Sequence, residues 1–76
     1  MLTLKLKNKA TDRLHIVVCS ALDVVPLGNG DQEITTRRGD AAEVFIVSAK
    51  PDGFNVAYIE NASATTTQVV RPGEKK

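Results

Sequence analysis

The 76-residue chain has one cysteine, Cys19, one histidine, His15, and no tryptophan. A single thiol excludes an intrachain disulfide. One Cys and one His fall short of the roughly four ligands of a structural zinc site, so neither a metal nor a cofactor is expected. The aromatics are limited to Phe45, Phe54 and Tyr58, a thin platform for stacking nucleic-acid bases. Ten basic residues against nine acidic ones leave a net charge of +1, which is not the basic footprint of a nucleic-acid binder. No apolar run reaches the roughly 20 residues of a membrane-spanning helix. No segment sustains an apolar period of 3.6, so no long helix is expected. The first residues, Met1 to Lys7, alternate, whereas a secretory signal needs a continuous apolar stretch. A free thiol fits a reducing compartment. The expected location is intracellular, or a virion, without secretion by a signal peptide.

What the chain does have is strand-forming residues and turns. Leu2, Leu4 and Leu6 alternate with Thr3, Lys5 and Lys7, the period of a half-buried strand. Residues 13–19 are β-branched and apolar on both faces, which suggests a central strand with Leu14, Ile16 and Val18 on one side. Residues 21–25 fit a short strand or a helical turn, with Pro26 disfavouring helix at Val25. Strand propensity returns at 32–36, 43–48, 54–59 and 65–70. Turn residues separate these runs at Asn8–Asp12, Gly28–Asp31, Arg37–Asp40 and Lys50–Gly53. The pattern predicts an all-β fold: a small antiparallel β-sandwich or partly open barrel of about five to seven short strands. Residues 1–70 form one domain, and 71–76 a polar C-terminal tail.

The strongest local signal is Lys50-Pro51-Asp52-Gly53, which has the chemistry of a turn. It predicts a β-hairpin joining 43–48 to 54–59. The expected core is Leu4, Leu6, Leu14, Ile16, Val18, Ile34, Val44, Ile46, Phe54, Val56 and Tyr58. Phe45 and Val47 alternate with Val44 and Ile46, so that strand calls for cover on both sides. A domain this small buries only about 60% of its unfolded surface. Without disulfide or metal, association is the remaining source of stability. A homo-oligomer, dimer or higher, is therefore expected, together with a protein partner and no membrane.

The residues with chemistry make no catalytic constellation. His15 has no nucleophile or orienting carboxylate fixed beside it. Cys19 lies four positions on, roughly 13 Å along an extended strand, which excludes a direct dyad. Arg38-Gly39-Asp40 spells an adhesion tripeptide but is also an ordinary Gly-centred turn. The chain is expected not to be an enzyme. Lys5, Lys7 and Lys9 line one strand face. That stripe fits either the protection of an edge strand or a contact with phosphate. For a protein contact, the candidate positions are Phe45, Val47, Ile59, His15, Arg37 and Arg38.

The stretch Ile34 to Val47, followed by Phe54 to Glu60, runs strand, Gly-turn, small and acidic residues, strand, turn, strand. This layout resembles short bacteriophage-encoded β-sandwich accessory and virion proteins. The resemblance spans about residues 2–60 and is one of residue classes. It implies a protein that acts by contact and carries over no site residue. The expected function is a non-enzymatic protein–protein interaction module, such as a phage-encoded inhibitor or adaptor of a host protein. The alternatives are a structural or decorating subunit of an assembly, and a weak nucleic-acid-binding barrel using Lys5, Lys7 and Lys9.

Overall fold

The computed structural model describes residues 1–63 and 66–73. Seven strands follow one another: β1 (Leu2–Lys7), β2 (Leu14–Cys19), β3 (Ala21–Pro26), β4 (Gln32–Arg38), β5 (Ala41–Val47), β6 (Val56–Asn61) and β7 (Thr66–Val70). They form two antiparallel sheets, one ordered β2-β1-β6-β7 and the other β3-β4-β5. The fold is a small β-sandwich, and the described residues contain no helix. Position 65, read as the start of the last strand, lies outside the described residues, as do positions 74–76 of the tail.

The connections follow from turn chemistry. Between β3 and β4, the N–H of Gly30 bonds the Leu27 carbonyl and the N–H of Leu27 bonds that of Asp31. Gly30 has φ +92°. This is a three-residue hairpin loop closed by a glycine in the left-handed region. Between β4 and β5 the loop is Gly39-Asp40, with φ +60° at Gly39, the first central position where a two-residue hairpin favours glycine. The chain then leaves one sheet for the other twice. Ser20 alone links β2 to β3, and residues 48–55 link β5 to β6.

That second link corrects a sequence expectation. Lys50–Gly53 does form a turn, with the Gly53 N–H on the Lys50 carbonyl at 3.2 Å. It does not make a hairpin, because β5 and β6 belong to different sheets and do not pair; an isolated parallel bridge joins Val47 of β5 to Phe54, ahead of β6. Two buried asparagines fasten the turn instead. The Asn8 carboxamide donates to the Pro51 and Gly53 carbonyls, and that of Asn55 to the Ser48 and Lys50 carbonyls.

The core between the sheets comprises Leu4, Leu6, Ile34, Val47, Ala57, Ile59 and Val70, flanked by Val17, Leu22, Val24, Phe45 and Phe54. Leu4, Leu6, Ile34 and Phe54 were expected there. Val56 is buried but stands apart from this cluster, and Tyr58 is half-buried. Leu14, Ile16, Val18, Val44 and Ile46 were expected inside and are exposed instead. The reason is one of phase. In β2 and β5 both faces are apolar, so alternation no longer says which face is inside. The inward residues are His15, Val17 and Cys19 on β2, opposite Leu6, Leu4 and Leu2, and Phe45 and Val47 on β5.

A candidate protein-contact surface on strand β2

The position of β2 decides what it can do. It lies at the end of its sheet, paired on one side only, with β1. It was expected at the centre of a sheet and is an edge. The Asn8 N–H bonds the Arg13 carbonyl directly opposite at 3.0 Å. In an antiparallel ladder the hydrogen-bonded pairs alternate with the non-bonded ones. Arg13, His15, Val17 and Cys19 therefore direct their backbone groups at β1. Leu14, Ile16 and Val18 direct theirs away from the sheet, along its open edge.

The same three residues carry their side chains on the outer face of the sheet. They are 51%, 55% and 40% exposed. From Leu14 to Cys19 the strand has no Lys, Asp, Glu, Pro or Gly. Edge strands are usually blunted by such residues, and the other three edges have them or are short. The edge strand β3 carries Asp23 and ends at Pro26, β5 carries Glu43, and β7 is five residues long and mostly polar. β2 is a bare edge with an apolar outer strip.

Beneath this edge, between the sheets, lies an open groove of about 380 Å³. One wall is β2 from His15 to Cys19, and the other is Thr36, Arg38, Ala41 and Glu43. The His15 ring closes one end against two phenylalanines, with centroids 5.7 Å from Phe45 and 5.9 Å from Phe54. Cys19 is 1% exposed, and burial pushes its thiol pKa above the ordinary 9.0. A buried protonated thiol is a poor nucleophile. Among the described residues, no three His, Cys, Asp or Glu side chains come together.

The lysine stripe is not built as the sequence suggested. β1 is flanked by β2 and β6, so its lysines protect no edge. Lys5 binds Glu60 and Lys7 binds Asp12, each at 2.9 Å. The hydrogen bond to Asp12, and then its charge, raises the Lys7 ammonium above its ordinary value of 10.5. Lys9 lies beyond the strand, in the loop before β2.

The sequence-derived contact residues separate. Val47 and Ile59 sit in the core of the chain itself, with 0% and 7% exposure, so they offer no outside contact. Phe45 is half-buried on the inner side, facing His15. The cover that β5 called for is thus supplied on its inner side by the other sheet. Arg37 and Arg38 are exposed at the end of β4, Arg38 in the groove wall. The Leu14, Ile16 and Val18 strip was missed, because these long apolar side chains were assigned to the core.

No protein-family model, no curated protein and no solved structure matches this chain. The reading of β2 therefore stands on geometry alone.

Proposed function

We propose that the protein is a non-enzymatic interaction module that accepts a β-strand along the open edge of β2. The observation that supports this is the coincidence, on Leu14, Ile16 and Val18, of free backbone groups and exposed apolar side chains. In strand addition, main-chain hydrogen bonds supply affinity and alternate side chains supply specificity. The matching ligand is an extended segment with apolar residues at every second position. The resemblance to phage accessory proteins makes an inhibitor or adaptor of a host protein the concrete form of this role. Lys5 and Lys7 are engaged by Glu60 and Asp12, which gives a phosphate-binding role little to work with. The test is capture from a host lysate with the wild-type chain and with Ile16→Lys. One stoichiometric partner held by the wild type and lost by the variant is expected. Equal capture by both would refute the reading.

A further inference from the structure

We infer that the strand received by β2 is β2 of a second copy, in one defined register with Ile16 opposite Ile16. This rests on the strand-accepting reading above and goes further by fixing occupant and geometry.

The backbone restricts the register sharply. Only even-numbered residues of β2 have groups that face outward, so only even residues can oppose even residues across a two-fold axis. Three such registers place the strands side by side. If Ile16 opposes Val18, Leu14 must face Ser20, but the Ser20 N–H is already bonded to the Arg37 carbonyl at 2.9 Å. If Ile16 opposes Leu14, Val18 must face Asp12, which lies in the loop with φ +60°. The remaining register pairs Leu14 with Val18, Ile16 with Ile16 and Val18 with Leu14. It uses every free group of the strand, and it extends the four-stranded sheet continuously through the axis.

The outer face is then self-complementary. Leu14, Ile16 and Val18 of the two copies form one apolar seam with no charge in it. The nearest cations on that face, Lys5 beside each Ile16, lie three strand spacings apart, about 14 Å. That exceeds the screening length of about 8 Å at physiological salt. Each is also bound to its own Glu60. The seam on the outer face therefore brings no like charges together.

The contact is small. Five paired residues cover about 17 Å of edge. A strip of that length buries on the order of 300 Å² per copy, against about 800 Å² per partner in a standard interface. The dimer is accordingly weak and reversible, and exchangeable for a better strand.

The test is solution NMR on the whole chain across a concentration series, with mixed isotope labelling. Expected are amide protection that rises with concentration at Leu14, Ile16 and Val18, and an intermolecular Hα contact between His15 and Val17. Both should be lost in Ile16→Lys, and weakened in Ile16→Thr, which keeps a β-branched side chain should the lysine variant fold poorly. A chain that stays monomeric at millimolar concentration overturns the inference. So does protection that rises instead at Ala42, Val44 and Ile46, the outward residues of β5. If the chain is monomeric yet Ile16→Lys still abolishes lysate capture, the dimer falls and the strand-accepting surface stands. If Ile16→Lys changes neither association nor capture, both fall.

Discussion

Asn8 and Asn55 hold the same turn from two sides. Asn8 reaches the Pro51 and Gly53 carbonyls while its Oδ1 accepts the N–H groups of Ala10 and Thr11. Asn55 reaches the Ser48 and Lys50 carbonyls while its Oδ1 accepts the Lys9 N–H. Together they tie the β5–β6 crossover to the β1–β2 loop. No buried side-chain polar atom among the described residues lacks a partner. The turn that looked like a local hairpin is thus the seam between the two sheets at one end of the sandwich.

Replacing Asn55 by Ala should break that seam. It removes a buried bond to the Ser48 carbonyl and two part-buried ones, to the Lys50 carbonyl and from the Lys9 N–H, and a buried group left unpaired costs about 1–3 kcal/mol. A loss of about 2 kcal/mol is expected. For a domain of this size that is a fall in melting temperature of roughly 10 °C or more. Thermal unfolding followed by circular dichroism reads it directly, and a melt unchanged within a degree or two would contradict the role given to Asn55.

Three glycines should respond differently to alanine. Gly30 has φ +92°, and a Cβ there would lie 2.9 Å from the Gly73 carbonyl oxygen. Gly39 has φ +60° but open space around it, and Gly28 has neither strain nor a neighbour within 4 Å. Gly39→Ala should cost about 1 kcal/mol from backbone strain alone, Gly30→Ala clearly more, and Gly28→Ala little or nothing. Urea unfolding of the three variants gives the order. The Gly30 result also reports on the Gly73 N–H bond to the Gly30 carbonyl, which brings the start of the polar tail against the β3–β4 loop.

Cys19 should be inert in the folded chain. It is almost fully buried, and its pKa is raised by burial above 9.0. A thiol reagent should label it only as fast as the protein opens, and fully in denaturant. The same shift fixes a pH dependence. The unfolded chain releases the thiol proton first, so the contribution of Cys19 to stability is whole below about pH 9 and is lost as pH rises toward the folded pKa. Cys19→Ala should remove that part of the alkaline loss. Rapid labelling of native protein would place Cys19 outside the core.

Binding to nucleic acid should be weak and should depend on freeing the lysines. The wild-type chain is expected to pass a DNA column at physiological salt. Asp12→Asn with Glu60→Gln releases Lys7 and Lys5 from their carboxylates and should increase retention. Salt-dependent retention of the wild type, lost when Lys5, Lys7 and Lys9 are replaced, would restore the nucleic-acid reading.

The two-sheet architecture was legible because turn residues and short apolar runs mark an all-β chain. β1 was read in the right phase because Thr3, Lys5 and Lys7 label its wet face. β2 and β5 carried no such label. In β5 the one charged residue, Glu43, stands opposite Thr36 on the inner side at the rim of the groove, so it pointed to the wrong face. His15 is exposed, yet it lies on the inner side of β2, its ring against Phe45 and Phe54. The edge position of β2 was illegible because it depends on pairing partners far along the chain. That position turns three apparent core residues into the candidate contact surface.

The most direct test is the amide exchange of β2 in dilute solution, residue by residue. The account predicts alternation: His15, Val17 and Cys19 protected by their bonds to β1, and Leu14, Ile16 and Val18 exchanging at nearly the rate of an open chain. Uniform protection along β2, or the opposite alternation, would show that the edge is closed and that the strand has nothing to offer a partner.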